Sequence, residues 1–388
     1  MSAKTLFTFG SAAFITAACS FAYAADVLES AKTLHPFVEI GVTNESNILK
    51  VAPEFEKSDT YLTFAAGIDS QFTSNQQNFY LDAVVFRNIY NRFDELDHTG
   101  GNARVEWDWA YGKLWDGKLG YGFDRRLRKF ENQLIPEKDL RNRHRVYGEA
   151  NRWLTDRWRA GVDADWRKVT FSEAEGLNKK IINVGGTLDY VTVTDNAFGI
   201  MAFWYDANFD NLPFRDYKGY GVGPTFDWNA SDKTRVLLKL PYVDRSFDER
   251  EERDFRGLTG DLDVQWRITD KTRIDFGAYR RIDNLEDEIA TYAIRDGAFV
   301  EPIWSVTEKT ALRGIVAFER RDFEGEPDDV PLEPGLDERE DDIWKLGLWL
   351  DWNPRDFASF TVGYSYEDRD SNRALRSFDN NVFEALLK

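Results

Sequence analysis

The sequence has little of what builds the common metal and disulfide centres. It contains one cysteine and three histidines in 388 residues. Disulfide scaffolds, zinc clusters and haem sites need more of these ligands, so neither a metal nor a cofactor is predicted. Basic residues are also in deficit, since 68 acidic residues face 50 basic ones for a net charge of −18. A nucleic-acid partner is not expected, because phosphate binding needs a basic surface.

Long apolar runs are missing too, except at the N-terminus. Lys4 precedes an apolar run from Leu6 to Cys19 and a small-residue site at Ala22-Tyr23-Ala24. This pattern predicts a secretory signal peptide over residues 1–24, cleaved before Ala25 and followed by a periplasmic segment over 25–36. A lipoprotein acylated at Cys19 is the alternative, but the position three residues before that cysteine favours a larger apolar residue. No later run reaches the roughly 18 residues of a membrane helix.

What the chain has in abundance is aromatic residues, at 15% of the sequence, set in a pattern of period two. Val105, Trp107 and Trp109 alternate with Glu106 and Asp108, which places apolar groups on one face of a strand and charges on the other. The same alternation recurs over 158–167, 343–352 and 358–367. No helical period of comparable length competes with it, so the chain is predicted to be all-β.

Short and long connections alternate between these strands. Eight short polar turns are predicted, over 74–77, 112–117, 155–157, 194–196, 229–233, 269–271, 307–309 and 353–356. Eight hairpins give sixteen strands, and a first strand near 37–43 with a last one near 378–387 makes about eighteen. Pro224 removes a ladder hydrogen bond from its strand, so we expect a bulge or a shifted register at 220–228. Residues 289–305, with Gly297 and Pro302, leave their strand boundaries open as well.

Alternation alone fits either a soluble sandwich or a membrane barrel. Three observations favour an antiparallel transmembrane β-barrel over 37–388, with short periplasmic turns and long acidic outer loops. The connections alternate in length, the strands are about 10 to 12 residues long, and tryptophans lie beside the short turns as in an aromatic girdle. Those tryptophans are Trp153, Trp228, Trp266, Trp304 and Trp352. With a signal peptide, the barrel is predicted to lie in the Gram-negative outer membrane.

The charged face then lines the lumen of the barrel. The lumen-lining candidates are Arg104, Glu106, Asp108, Arg126, Arg128, Arg145, Tyr147, Arg159, Asp163, Asp165, Arg167, Asp261, Asp263, Arg267, Trp349 and Asp351. They either brace the wall as cross-strand ion pairs or form a polar track for a hydroxylated polymer. In the second case, Tyr147 and Trp349 stack on sugar rings, although both could instead simply fill a narrowed lumen.

The excess negative charge lies in three of the long connections. Residues 322–342 hold eleven acidic residues and one arginine, and 247–254 and 283–288 add further excess acid. Such runs are usually solvated loops. Alternatively, their carboxylates share divalent cations with lipopolysaccharide, which with outer-membrane lipid is a predicted partner.

Enzymatic activity is not predicted. A few outer-membrane barrels are hydrolases, and Asp97-His98 lies in a loop where a protease of that type would carry such a pair. No distinctive motif surrounds His98 or His144, so no catalytic residue is assigned.

Two stretches carry a family resemblance. Residues 364–372 with 378–382 resemble the closing hairpin of a bacterial β-barrel porin family whose members include EpsL-type proteins of exopolysaccharide gene clusters, and residues 41–48 resemble its opening. The chain departs from barrels of this kind in ending on Lys388 rather than on an aromatic residue. The resemblance implies an outer-membrane component of exopolysaccharide biosynthesis and export.

The resulting hypothesis is a secretion channel for an extracellular polysaccharide, with the polymer and periplasmic export components as partners. Two alternatives stay open. The barrel is a general or solute-selective porin, or it is a structural barrel that docks the members of an export complex.

Overall fold

A computed structural model describes residues 33–133, 135–284, 286–287, 290–324, 338–373 and 375–388, so the predicted signal peptide lies outside the described residues. Within these ranges almost all regular structure is extended. The strands are β1 Thr33–Glu45, β2 Asp59–Ser74, β3 Gln77–Tyr90, β4 His98–Tyr111, β5 Trp115–Leu127, β6 Leu140–Trp153, β7 Trp158–Phe171, β8 Lys179–Val191, β9 Ala197–Phe209, β10 Tyr217–Ser231, β11 Thr234–Lys239, β12 Tyr242–Phe247, β13 Phe255–Leu258, β14 Gly260–Thr269, β15 Thr272–Asp283, β16 Tyr292–Thr307, β17 Thr310–Glu324, β18 Glu340–Arg355, β19 Ala358–Ser371 and β20 Phe378–Leu387.

These strands close into one antiparallel barrel. β1 pairs with β2 on one side and with β20 on the other, from Ile40↔Leu387 to Glu45↔Val382. β11 and β12 both pair with β10 in a single register and are two halves of one crossing. β13 and β14 are likewise two halves of the next crossing. The predicted all-β barrel of eighteen crossings is therefore confirmed.

The proline positions behave differently from the sequence expectation. β10 runs unbroken through Pro224, which pairs with Ile200 in register, so the bulge expected there is wrong. The interruption falls on the neighbouring crossing at Leu240 and Pro241, where the amide of Leu240 still donates to the carbonyl of Pro224 at 3.1 Å. Pro224 has no amide N–H and cannot donate the second hydrogen bond of this residue pair. The hydrogen-bond ladder is therefore interrupted at this point, but the register is the same on both sides.

The same tolerance is seen in β16. This strand spans Tyr292–Thr307 and stays in register with β15 through Ile274↔Pro302. Its ladder with β17 pauses between Val300 and Ile303 without a change of register, and the register shifts only beside the short turn, between Ser305 and Thr307. At the N-terminal side, β1 begins at Thr33, four residues before the predicted start of the barrel.

The connections alternate in length around the whole barrel. All eight predicted short turns lie at one end, together with the start of β1 and the end of β20. Nine longer loops lie at the other end, six of them with a one-turn 3₁₀ helix. These helices are Pro53–Phe55, Asp94–Leu96, Phe130–Asn132, Glu175–Leu177, Pro213–Arg215 and Glu251–Arg253. None of the described helices is long and apolar enough to cross a membrane.

The outward face is apolar, as a lipid-facing surface must be. Valines and leucines stand exposed along the strands, such as Val85 and Val162 at 62% and Leu348 at 53%. Trp352 and Trp344 point outward from β18, eight residues apart and about half exposed. At about 3.3 Å per residue and a tilt of about 40°, that spacing spans roughly 20 Å along the membrane normal, close to the height of a barrel's apolar band.

Four of the five tryptophans predicted for the girdle point to lipid. Trp228, Trp266, Trp304 and Trp352 are exposed on the outer face. The prediction for Trp153 is wrong, because odd-numbered residues of β6 face the lumen and the guanidinium of Arg159 lies over its ring at 5.9 Å. A hairpin turn after a tryptophan therefore does not by itself fix which face the ring takes.

Part of the barrel interior is apolar, which strict alternation did not predict. Phe203, Tyr205, Tyr217, Val243 and Phe247 cluster inside the barrel near the long loops. Their strands carry inward glycines opposite these rings, and a Cβ at Gly219 or Gly221 would collide with a ring. The glycines let the aromatic rings lie flat against the wall, so this side of the lumen is filled rather than open.

Candidate functional site: a constriction in the outer half of the lumen

Four outer loops close by one repeated device. The last residue of the preceding strand donates its amide to an Asp or Asn side chain seven residues later, as in Tyr90 to Asp97 at 2.7 Å and Phe209 to Asp216 at 2.6 Å. The other two pairs are Phe171 with Asn178 and Phe247 with Asp254. The residue before each acceptor is buried and points into the barrel; these residues are Leu96, Leu177, Arg215 and Arg253. The loops therefore fold over the mouth.

The described part of the β5–β6 loop, residues 128–139, reaches across the mouth. Phe130, Glu131, Asn132 and Gln133 are all buried. Arg369 of β19 donates to the carbonyl of Glu131 at 3.0 Å, and Arg376 donates to that of Gln133 at 2.9 Å. These partners lie about a third of the way around the barrel, so the loop crosses the lumen rather than standing outside it.

The β15–β16 loop, residues 284–291, enters from the opposite wall. Asp287 is 1% exposed and pairs with Arg339 at 3.1 Å. Glu286 pairs with Arg141 of β6 at 2.9 Å, and its carbonyl accepts from Arg128 at 2.6 Å. The carbonyl of Asp287 accepts from Arg215 at 2.8 Å. The two loops thus meet inside the mouth, and we call the described residues of 128–139 and 284–291 the loop bridge.

The expectation that the acidic run at 283–288 is a solvated loop is therefore wrong for its described residues. Asp283 pairs with Arg295, and Glu286 and Asp287 pair across the lumen. Wall arginines pull these carboxylates inward, because a buried cation needs an anion beside it. Most of the longer acidic run at 322–342 lies outside the described residues.

Charges around Glu131 tie the bridge to the wall. Burial raises the pKa of Glu131, but the cations Lys129, Arg321, Lys50 and Lys345 together hold it well below its usual range. Lys50, in the first outer loop, pairs with Glu367 of β19. Burial lowers the pKa of Lys50, while Glu367, Glu131 and Glu45 raise it further and leave it well above its usual value. Both groups stay charged at any physiological pH.

We define the outer half of the described lumen by the inward-facing residues in the half of each crossing nearest the long loops, together with the loop residues that reach into the mouth. Cations outnumber carboxylates there. The cations are Lys50, Arg104, Arg126, Arg128, Lys129, Arg141, Arg143, Arg145, Arg167, Lys179, Arg215, Arg245, Arg253, Arg281, Arg295, Arg321, Arg339, Lys345 and Arg369. The carboxylates are Glu45, Asp59, Asp124, Glu131, Asp139, Asp165, Asp261, Asp283, Glu286, Asp287, Glu319, Asp341 and Glu367. Most of these groups are paired.

The periplasmic half, nearest the short turns, has the opposite balance. Its inward carboxylates are Glu39, Asp69, Asp82, Glu106, Asp108, Asp116, Glu149, Asp163, Asp189, Asp227, Asp263, Asp275, Glu301, Asp351 and Glu384. Its cations are Lys118, Arg159, Arg235, Lys239, Arg267, Arg273, Arg313 and Lys388. A lumen that is nearly neutral in total is thus divided into a cationic outer half and an anionic periplasmic half.

All sixteen residues predicted for the lumen lie on the inward side of the wall or, for Arg128, in the mouth. Several are joined in pairs: Arg145 and Arg167 both contact Asp165, Arg159 contacts Asp189, and Asp261 contacts Arg281. Arg126 contacts Asp124, Arg104 contacts Asp82 and Asp351 contacts Arg313. Asp108, Asp163, Asp263 and Arg267 form no ion pair within the described ranges.

The two aromatic candidates lie flat on the wall. The ring of Tyr147 covers Gly120, its hydroxyl donates to Glu106 at 2.5 Å, and only 8% of the residue is exposed. Trp349 covers Gly347 and Gly363, and its Nε1 donates to Glu384 at 2.6 Å. Both side chains are committed to the wall, which favours the filling role over a sugar-stacking one.

The alternation of side chains along the strands did not predict most residues of the constriction, because the most important of them lie in loops. Glu131, Arg215, Glu286, Asp287 and Arg339 are all buried or half-buried but follow no alternation. One signal was present in the sequence. An aromatic residue at a strand end, followed seven positions later by Asp or Asn, marks four inward-closing loops and the buried residue just before each acceptor, such as Arg215, but it marks neither loop of the bridge.

The Asp97-His98 pair is structural. His98 is 4% exposed, with Nδ1 2.9 Å from the carbonyl of Leu96 and its ring against Phe86 and Tyr90. The carboxylate of Asp97 accepts the amide of Tyr90 and pairs with Arg87. Over the described part of the chain, no group of three or more potential ligands is placed to hold a metal ion.

Comparisons with known proteins agree with the fold of an outer-membrane β-barrel. The model of a family described as "Putative beta-barrel porin 2" matches residues 203–388, just under half of the chain. The crystal structure of Pseudomonas aeruginosa OpdQ is similar with a TM-score of 0.50 and 12% identity, over 92% of this chain and 99% of that one. Acinetobacter baumannii OccAB3 gives 0.49 and 8% over 91% and 99%, and P. aeruginosa OpdL gives 0.46 and 11% over 92% and 98%.

At these identities the likeness concerns the fold alone. No curated protein matches the sequence. The fold is that of an outer-membrane β-barrel, and the family match describes a porin rather than an enzyme, in agreement with the sequence analysis.

Proposed function

We propose that this chain is an outer-membrane porin that passes small hydrophilic solutes, in line with the second hypothesis from the sequence. The observation that carries the proposal is the loop bridge across a polar, charged lumen. An eighteen-stranded barrel is wide enough for an aqueous channel, and loops folded into its mouth set the size of what can enter. The contacts of Arg128 with Glu286 and of Arg215 with Asp287 narrow the mouth, as a channel restricted to small molecules requires.

A polysaccharide secretion channel is less well supported. A polymer would have to thread between the two loops, and the aromatic rings predicted to stack on sugars are held against the wall by Glu106 and Glu384. The exopolysaccharide role rests on the sequence resemblance alone. A docking barrel would not need the charged lumen that the wall builds.

Reconstitution of the protein into membranes distinguishes these three hypotheses. The refolded full chain in a planar bilayer should give discrete ion-conducting steps, and liposomes that contain it should admit monosaccharides faster than tetrasaccharides. A barrel that conducts no ions at any voltage contradicts the porin proposal and favours the docking role. Equal uptake of small sugars and long oligosaccharides contradicts the size limit assigned to the loop bridge.

A further inference from the structure

A furrow runs along the outer wall of the barrel on β4. Thr99, Gly101 and Ala103 share the outward parity of Val105 and form its floor, while Val85 of β3 and Phe123 of β5 stand on either side. The depression encloses about 660 Å³. It exists because small residues on the central strand lie between larger ones on its neighbours. We call it the β4 furrow.

The floor of this furrow is apolar and continuous with the lipid-facing surface. Val85 and Val105, at 62% and 49% exposure, lie directly beside it. An occupant must therefore offer hydrocarbon to the floor, as an acyl chain does, because a free polar solute would leave this surface uncovered. Burial of one acyl chain in place of bulk lipid gives little selectivity, so the specificity must come from the rim.

The rim near the long loops is basic. Arg87, Arg125 and Lys138 line it, and Asp97 is the one carboxylate among the described residues that line the furrow. Asp97 pairs with Arg87 at 3.3 Å. Lys138 donates to the backbone carbonyl of Asp97 at 2.6 Å, which leaves its charge uncompensated. Arg125 is exposed and has no ion pair with any described residue.

Five other outward cations near the outer ends of strands are paired, while Lys168 of β7 has no ion pair with a described residue. Lys180 faces Asp210, Lys218 faces Asp248, Arg256 faces Asp244, Arg280 faces Asp296 and Arg320 faces Asp342, at 2.7 to 3.0 Å. The rim of the β4 furrow departs from that pattern, since it has an excess of cations where those five sites supply a carboxylate. An anion from outside the chain is needed to balance this excess of positive charge.

We propose that the β4 furrow binds a phosphorylated glycolipid of the outer leaflet, with an acyl chain along β4 and a phosphate between Arg125 and Lys138. Arginine and lysine bind phosphate through charge-assisted hydrogen bonds. The long-loop end faces the outside of the cell in an outer-membrane barrel, where such lipids are found. The inference uses this orientation but does not depend on whether the barrel conducts.

Native mass spectrometry of the full chain in detergent, titrated with purified lipid A, tests the proposal. Arg125→Gln and Lys138→Gln should each weaken lipid A binding about fivefold, the loss expected for one cation near an anionic head group. The control Arg256→Gln, which removes a paired outward arginine, should leave binding unchanged. Ala103→Leu fills the furrow without a change in charge and should weaken binding, while Ala164→Leu on the outward face of β7 should not.

Comparison of different lipids in the same experiment identifies the ligand. Dephosphorylated lipid A should bind to the wild type more weakly than lipid A binds to Arg125→Gln, because it loses the contacts with both cations. Equal binding of phosphatidylglycerol overturns the choice of glycolipid, and undiminished lipid A binding by Arg125→Gln and Lys138→Gln overturns the site. A heat-modifiable gel shift confirms that each variant has folded. Lipid binding is measured by mass spectrometry and not by conductance. A failure of this proposal can therefore be told apart from a failure of the porin proposal.

Discussion

The two halves of the lumen share one alternating pattern but form different environments. In the outer half, Glu319, Asp341 and Arg369 are at most 2% exposed, and each is held by an opposite charge. In the periplasmic half, Asp163 and Asp263 are only half-buried and have no ion pair with a described residue. The difference arises because loops fold in at one end only. Inward charges are thus buried and paired where a loop covers them, whereas the periplasmic half combines pairs such as Arg159 with Asp189 with carboxylates that stay available to a solute.

The largest expected effect comes from release of the loop bridge. The double variant Glu286→Gln and Asp287→Asn removes one carboxylate partner each from Arg141 and Arg339, which keep Asp124 and Asp341, so the β15–β16 loop should leave the mouth. Because each arginine keeps an anion, each lost pair costs less than the roughly 3 to 5 kcal/mol of a buried charge left alone, but the loop loses both of its charged side-chain contacts at once. Single-channel conductance should rise several-fold.

Glu249→Gln with Glu252→Gln is the matched control, because it removes the same charge from exposed positions of another outer loop. Its conductance should equal that of the wild type. If the two double variants behave alike, the outer half of the lumen is not held closed by these pairs, and the contrast between the halves is lost.

A smaller effect is expected from the periplasmic half. Asp163→Asn with Asp263→Asn removes two unpaired inward carboxylates. Lumen carboxylates attract cations, so the ratio of cation to anion permeability should fall by about twofold. The reversal potential in a salt gradient measures it, with unchanged conductance at high salt because the bore is untouched.

Asp206→Asn serves as the comparison, since even-numbered residues of β9 face outward. It should leave the reversal potential as it was. An unchanged reversal potential in the lumen variant would mean that the periplasmic carboxylates do not face the ion path.

The strand pattern predicted the architecture because successive side chains of a β-strand alternate between the two sides of a barrel wall. It therefore placed Arg104, Asp263 and Asp351 correctly. It misplaced Trp153, where the position beside a turn outweighed parity in the interpretation. It could not find Glu131 or Asp287, because a loop has no period and its path depends on partners far away in sequence, such as Arg369 and Arg339.

The smallest expected effect is that of pH, since single-channel conductance should not change over a defined pH range. Glu131 has a pKa held well below its usual value, so its contribution to the closed mouth is complete above the unfolded value of about 4.3 and is lost only as pH falls through the lower folded value. Lys50 has a raised pKa, so its contribution is complete below about 10.4 and is lost only as pH rises beyond that. Between about pH 5 and pH 7, neither group changes charge. Single-channel conductance, divided by the conductivity of the bath at each pH, should therefore stay constant across this range, and a step within it would show that a group other than these two holds the loop bridge in place.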